Sequence, residues 1–200
     1  MENHNHKYAL RHKVSISGAA ISEICSEDAL EMAKEVGREL ARNGAVTVTG
    51  ATTGVPYWAA IGAKEEGGFV LGYSPAASES AHVKTYKLPL DYHDVIMFTG
   101  FGYVGRDLLI VKSSDAVIII CGRIGTMHEF TAAYEEKRVI GVLVGSGGVA
   151  DEVEEMVKKS KRGPGKVIYN KNPTELVRQV LDMIDKDKKG ELEDIGISIA

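Results

Sequence analysis

Short runs rich in Val and Ile recur along the chain, and each run is followed by a segment whose apolar residues have helical spacing. This alternation is typical of a parallel sheet that helices cover on both faces. We therefore predict an α/β protein: a three-layer, doubly wound fold with a mostly parallel, seven-stranded sheet. The predicted strands cover residues 13–17, 46–49, 69–73, 94–98, 116–121, 139–144 and 166–169.

The first predicted helix covers residues 27–42, where one apolar stripe ends at Asn43-Gly44, a typical helix stop signal. Further helices are predicted to begin near Pro56, Arg106, Thr126, Val149 and Pro173. Residues 74–92 have weak periodicity and several breakers, so we predict a long irregular excursion there, near the ligand-binding edge of the sheet.

The length of 200 residues fits a single domain, which we place at residues 13–185. Residues 1–12 have the character of a polar N-terminal tail, and residues 186–200 that of a C-terminal tail; an arm docked on a neighbouring subunit is the alternative for the latter. The 24 basic and 28 acidic residues give a net charge of −4, with no block of like charge that could follow a phosphate backbone. We therefore expect no nucleic-acid partner.

The two cysteines, Cys25 and Cys121, are far apart in the sequence. Their context suggests neither a zinc site nor the disulfide framework of a secreted protein, and fits a reducing compartment. The N-terminus lacks the apolar core of a secretory signal, and no segment approaches the ~18 apolar residues of a membrane span. We therefore predict a cytoplasmic protein without a membrane partner. We expect no metal site, because His4, His6 and His12 lie in a polar tail that does not fix their geometry.

Glycine-containing loops follow four of the predicted strands. In a parallel sheet these loops gather at the carboxyl edge, where helix N-termini offer free N–H groups to an anion. The alternative is that tight strand-to-helix turns need glycine in any case. We predict a phosphorylated ligand there. The predicted phosphate- or nucleotide-binding residues are Gly18, Gly50, Thr53, Gly54, Gly122, Arg123, Ile124, Gly125 and Thr126.

Residues 100–105 have the pattern G-x-G-x-x-G between a predicted strand and a predicted helix. This pattern invites assignment as a dinucleotide-binding loop, which also needs an acidic residue ~20 positions later to hold a ribose. Here the following strand ends Ile119-Ile120-Cys121, without an acid. A dinucleotide-binding protein therefore ranks below the other functions.

Three residues in the second half of the chain have two interpretations. Thr126 and Glu129 have the spacing of a helix capping box, which needs no ligand. Alternatively, Glu129 turns toward the crevice beside the phosphate loop and Arg106 supplies a fixed planar cation. The residues alone leave both interpretations open.

The pattern that joins Arg106 to the segment from Cys121 to Glu129, C-G-R-I-G-T-M-H-E, resembles the LOG-like family of Lonely Guy proteins. Their signature reads P-G-G-x-G-T-x-x-E, and the resemblance covers residues 13–184. It implies a Rossmann-like fold, a homodimer, and hydrolysis of the N-glycosidic bond of a nucleoside 5′-monophosphate such as AMP to free base and ribose 5-phosphate. It also implies that Arg106 and Glu129 are catalytic and that no cofactor is needed.

The chain departs from the family pattern at several positions. Cys121 and Arg123 replace the family's Pro and second Gly, and the paired acid before the helix is His128-Glu129. The family's early glycine loop is present only as Gly50-Ala51-Thr52-Thr53-Gly54. The chain therefore resembles a divergent branch close to molybdenum-cofactor carrier proteins, which bind a phosphate-bearing pterin and catalyse nothing. A non-catalytic nucleotide or cofactor carrier is the alternative function.

Hydrolysis of an N-ribosidic bond develops oxocarbenium character at the sugar, which assigns a role to each candidate. Gly125 and Thr126 would hold the 5′-phosphate. Glu129 would stabilise the positive charge, and Arg106 would orient the leaving group or the carboxylate. Arg123 has two possible roles, because it either adds a phosphate contact or narrows the pocket.

Overall fold

The computed structural model describes residues 10–194, with side chains to residue 190. Seven strands form one sheet, and they are β1 Lys13–Gly18, β2 Val46–Thr49, β3 Phe69–Ser74, β4 Val95–Phe98, β5 Ala116–Ile120, β6 Val139–Leu143 and β7 Val167–Asn170. The helices are α1 Ala29–Arg42, α2 Val55–Glu65, α3 Glu79–Lys84, α4 Gly102–Ser113, α5 Ile124–Glu135, α6 Gly148–Ser160 and α7 Pro173–Asp194. All seven predicted strands are present, which confirms the α/β class.

The strand order is β4-β3-β2-β1-β5-β6-β7, and every neighbouring pair is parallel. From β1 the chain builds the sheet outward in one direction through β4, and then returns to place β5 on the other side of β1. The sheet therefore has its topological switch point between β1 and β5, where ligands bind in open parallel sheets.

Alternate side chains of the central strands pack into two different cores, one on each face of the sheet. On one face, Val14, Ile16 and Ile118 pack with residues of α1, α2 and α7. On the other face, Ile119 packs with Val117 and with residues of α4, α5 and α6. Because β1 reads Val-Ser-Ile-Ser in its centre, its two serines face the second layer, so Ser17 points toward α4 and α5.

The helices differ from the predicted ones in three places. Helix α4 begins at Gly102, so Arg106 lies in its second turn and not at its start. Within the excursion predicted as irregular, Ser78 caps the short helix α3 by accepting a hydrogen bond from the Ala81 N–H. Helix α7 continues to Asp194, past residue 186 where a tail was expected. Cross-contacts stabilise these last turns, because Lys188 Nζ lies 3.2 Å from Asp115 and 3.1 Å from the His12 ring.

Residues 1–9 and 195–200, which include His4, His6 and most of the predicted N-terminal tail, lie outside the described part of the chain. Within residues 10–194, no helix combines the length and the apolar character that a membrane crossing requires.

Cys25 and Cys121 form a disulfide, with their Cα atoms 5.4 Å apart, which their sequence context did not suggest. Their sequence separation of 96 gives no sign that β1 and β5 are hydrogen-bonded neighbours. The connection after β1 therefore passes the end of β5, where Cys121 begins the next loop. The pairing removes the sequence argument for a reducing compartment, and the cytoplasmic location stays a prediction.

Candidate active site

The carboxyl ends of the strands bring the glycine loops to one edge of the sheet, as expected. Gly18 ends β1, Gly50 follows β2, and Gly122 follows β5, so these three loops border the switch point. The G-x-G-x-x-G segment of residues 100–105 instead follows the edge strand β4, three strands away from β1. It lies away from the position that a dinucleotide-binding loop occupies in this class of fold.

Arg106 is directed inward from the second turn of α4, and only 8% of its side chain is exposed. Its guanidinium occupies the space above Gly50, because a Cβ atom on Gly50 would lie 1.6 Å from Arg106 Nη1. The Tyr103 ring lies 5.7 Å from the guanidinium carbon. Gly50 makes room for a buried arginine, and its predicted contact with phosphate stays a prediction.

Asp107 joins Arg106 to His128 across the contact between α4 and α5. Its Oδ1 lies 3.3 Å from Arg106 Nε, and its Oδ2 lies 3.1 Å from His128 Nδ1. Only 7% of the Asp107 side chain is exposed. Burial raises the pKa of Asp107, although Arg106 and His128 each oppose that shift. Among the described residues, Arg106 Nε has no aligned hydrogen-bond acceptor, so this buried cation is incompletely partnered.

Glu129 lies at the centre of this cluster, and the Ser17 hydroxyl donates a hydrogen bond to its Oε2. Burial raises the pKa of Glu129 to about 7, and the negative charge of Asp107 adds to the shift, while Arg106, Ser17 and His128 oppose it. A carboxyl group with a pKa near 7 exchanges protons readily at neutral pH, which suits a general acid or base.

The capping-box interpretation of Glu129 was wrong. Helix α5 begins at Ile124 with Arg123 in the N-cap position, and Thr126 is already inside the first turn. Glu129 bonds Ser17 of β1 and not the start of its own helix. The Glu129 side chain is therefore directed from α5 to the central strand β1, and its spacing from Thr126 does not reflect a cap.

The loop between β5 and α5 has left-handed backbone at Cys121 (φ 53°) and Gly122 (φ 103°). A Cβ atom on Gly122 would lie 2.4–2.6 Å from the Thr126 side chain, which packs beneath the loop and is buried. Arg123 and Gly125 are exposed, as is 84% of Ile124. The surface that a phosphate would meet is therefore formed by residues 123–125, and Thr126 supports it from below.

Contacts with the connection after β6 hold the β5–α5 loop in place. The Cys121 N–H donates to Ser146 Oγ at 2.8 Å. The Val149 and Ala150 N–H groups at the start of α6 donate to the carbonyls of Gly122 and Cys121, at 3.1 and 2.9 Å. With the Cys25–Cys121 disulfide, these bonds preorganise the loop, which is what anion recognition without reorganisation requires.

Three other predicted ligand contacts hold the loops against each other. A Cβ atom on Gly18 would lie 2.6 Å from the carbonyl oxygen of Ile120, and one on Gly54 would lie 2.2 Å from that of Ala19. Thr53 Oγ1 donates to the Ala20 carbonyl at 3.0 Å. These residues pack the edge of the sheet tightly.

Reasoning from the sequence missed Ser17, Tyr103, Asp107 and His128 as members of the site. Ser17 had a usable signal, because a serine within a buried apolar strand needs a hydrogen-bond partner. Asp107 and His128 are adjacent to the two predicted catalytic residues, but their contact depends on how α4 packs against α5.

Comparison with known proteins gives consistent results. The model of the SLOG cluster4 family matches residues 11–177. An uncharacterized protein from Archaeoglobus fulgidus is 34% identical over 119 residues, which are 60% of this chain and 73% of the relative. The solved structure of TM1055 is 25% identical with a TM-score of 0.69, and covers 88% of this chain and 99% of its own. The Moco carrier protein from Chlamydomonas reinhardtii is 24% identical with a TM-score of 0.72, and has the same two coverages.

Proposed function

The chain belongs to the SLOG cluster4 family and has the LOG-like Rossmann fold, and from that premise we propose that it binds a nucleoside 5′-monophosphate and hydrolyses its N-glycosidic bond. The products are a free base and ribose 5-phosphate. One observation carries the proposal: a buried arginine and a carboxyl group with a raised pKa meet beside a preorganised loop at the switch point.

In the proposed reaction the ligand's phosphate binds at residues 123–125. The N–H groups of the first turn of α5 and the Arg123 side chain supply positive charge there. This placement directs the ribose toward Glu129. As a carboxylate, Glu129 stabilises the oxocarbenium-like sugar and accepts a proton from the attacking water. Arg106 supplies a preorganised positive charge beside Glu129, because the position of its guanidinium over Gly50 is fixed before any ligand arrives.

Product analysis of the wild type and of Glu129→Gln tests the proposal. Free base and ribose 5-phosphate are measured with a panel of nucleoside 5′-monophosphates. We expect turnover by the wild type and a loss of about 10²–10³-fold in Glu129→Gln, because a neutral amide cannot stabilise the developing charge. Glu135→Gln is the matched control, since Glu135 lies on the same helix and is exposed. Full activity of Glu129→Gln, or no release by the wild type from any monophosphate, would contradict the proposed reaction.

The second candidate function is that of a non-catalytic carrier of a nucleotide or phosphorylated cofactor. It is favoured by the similarity to the Moco carrier protein, which extends over 88% of this chain. A carrier uses the same loop to bind its ligand, but it does not need Glu129 to accept or donate a proton. It predicts that AMP binds by calorimetry without release of base, and that Glu129→Gln binds AMP as the wild type does.

We also propose that the protein is a homodimer that associates through α4. Phe101, Val104 and Leu108 are exposed and have the 3–4-residue spacing of one helix face, while Arg106 and Asp107 of the same helix are turned inward. A helix whose exposed face is this apolar marks an interaction surface.

A further inference from the structure

His128 combines a fixed end and an accessible end. Its Nδ1 lies 3.1 Å from Asp107 Oδ2, and Asp107 is buried, yet 37% of the His128 side chain is exposed. A carboxylate that accepts a hydrogen bond from Nδ1 fixes the tautomer and orientation of an imidazole. The proton that His128 exchanges with a ligand is then the one on Nε2.

Charged groups face His128 from α4 and from α5 itself. Asp107 and Arg106 face it from α4, with Tyr103 beside Arg106, and Glu129 is the next residue of α5. Ser17 of β1 reaches the cluster through its bond to Glu129. A proton on His128 compensates the Asp107 carboxylate and favours the ionised form of Glu129. The state with protonated His128 and ionised Glu129 is thus one in which opposite charges are adjacent.

The proposed hydrolysis requires both a protonated group such as His128 and an ionised group such as Glu129. When the N-glycosidic bond breaks, the departing base takes the electron pair and is a poor leaving group unless it is protonated. The attacking water must also lose a proton. Glu129 meets the second need, but a carboxylate that accepts a proton cannot donate one to the base in the same step. His128 occupies a position where the LOG-like pattern has an acid, so this chain has a different proton donor available there.

We propose that His128, positioned by Asp107, is the general acid that protonates the leaving base, a role that rests on the proposed phosphoribohydrolase activity. The C1′–N bond breaks with its electron pair going to the base nitrogen, which takes the proton from His128 Nε2. The water oxygen bonds to C1′, and its proton goes to Glu129. A proton then passes from Glu129 to His128 through solvent, so the enzyme returns to its starting state with one water consumed. Asp107 is a positioning residue in this scheme.

The test compares two substrates that differ only in the leaving group: AMP, whose base needs protonation, and p-nitrophenyl ribose 5-phosphate, whose phenolate does not. With AMP, we expect His128→Gln to lose about 10²–10⁴-fold in kcat, the usual contribution of general acid catalysis. With the nitrophenyl substrate we expect His128→Gln to stay within a few-fold of the wild type. Glu129→Gln is expected to lose activity on both substrates.

Asp107→Asn tests the positioning of His128 through the pH dependence of kcat, which a change in fold stability alone would not shift. We expect it to shift the basic limb of the pH–kcat profile on AMP, to leave KM nearly constant, and to lose less activity on the nitrophenyl substrate than on AMP. His12→Gln is the matched control for His128→Gln. His12 also bonds an aspartate, but it lies just before the start of β1, at the opposite edge of the sheet from the site. Melting curves of each variant check that the fold is kept.

Three results are decisive. If the wild type hydrolyses neither substrate, the proposed function has failed, and the general-acid role fails with it. If the wild type hydrolyses both but His128→Gln is equally slow on both, the general-acid role alone is wrong. Unchanged AMP turnover in a folded His128→Gln protein would overturn it as well, and leave the Glu129 chemistry standing.

Discussion

The carboxyl group of Glu129 lies where the protein interior opposes its charge. Its pKa of about 7 in the folded protein exceeds the ordinary value of 4.5 because of burial and the nearby Asp107. The folded state therefore binds this proton more tightly than the unfolded state does. The stabilisation is fully present below pH 4.5 and is lost as the pH rises through 7. Such a cost at neutral pH is typical of functional sites, where stability is exchanged for reactivity.

We predict that Glu129→Gln stabilises the protein at pH 8 but not at pH 4.5. The amide keeps a similar shape but cannot ionise, so the variant avoids a penalty on the order of 1–3 kcal/mol. Urea unfolding of wild type and variant at both pH values measures this difference. A variant that is less stable than the wild type at pH 8 would show that the Glu129 carboxylate contributes to folding, contrary to the raised pKa.

Gly50→Ala is predicted to reduce activity through Arg106. A Cβ atom there would lie 1.6 Å from Nη1, so the guanidinium must move. We expect turnover to fall by about tenfold or more, toward that of Arg106→Ala, because the cation loses its fixed position. Gly190→Ala is the matched control, since Gly190 is exposed and its Cβ would meet nothing within 4 Å. An active Gly50→Ala enzyme would mean that the position of Arg106 is unimportant.

At the level of elements, the Cys25–Cys121 disulfide connects the segment after β1 to the loop after β5. Cys25 also pairs with Gly147 in an isolated bridge, so three connections meet at this point. The loop that we propose for phosphate binding begins at Cys121. Its rigidity therefore depends on this bond as well as on the start of α6.

Reduction of the disulfide is predicted to lower the free energy of unfolding by about 4–5 kcal/mol, the value for a closed loop of roughly 100 residues. Urea unfolding with and without a phosphine reductant measures the change, and phosphate affinity is expected to fall in the reduced form as the loop loosens. The Cys25→Ala/Cys121→Ala protein is the control, because its stability must not respond to the reductant. Equal stability of the oxidised and reduced wild type would contradict the prediction.

At the scale of the whole molecule, the exposed face of α4 lies on the helix that also carries Arg106 and Asp107. An interface there would cover Phe101, Val104 and Leu108, of which Val104 is 69% exposed, and would stiffen the helix. Association and catalysis would then be linked through one element.

Sedimentation of the wild type is expected to give a mass about twice the chain mass of 21.6 kDa at micromolar concentration. Val104→Glu is expected to give a monomer, because it places a charge at the centre of an apolar interface. Leu10→Glu is the control, since Leu10 is also highly exposed but precedes β1. A monomeric wild type, or a Val104→Glu dimer, would exclude an interface at this face.

The sequence by itself determined the sheet, its seven strands and the edge at which the loops gather. These follow from hydrophobic periodicity and from the parallel direction that βα alternation imposes, both of which are local properties of the chain. It also singled out Arg106 and Glu129, through spacing and family resemblance. The structure adds a packing role for Gly18, Gly50 and Gly54, and their ligand contacts stay predictions. The sequence did not show this packing role, because a glycine needed for a ligand and one needed for close packing look the same in a sequence.

Only the tertiary structure decided which side chains meet. It pairs Glu129 with Ser17, Asp107 with His128, and Cys25 with Cys121, each across 21 to 112 residues of chain. These contacts depend on strand order and on the packing of α4 against α5, which no local pattern encodes. Burial then set the pKa of Glu129, because the cost of a charge depends on all the groups around it and not on its neighbours in sequence.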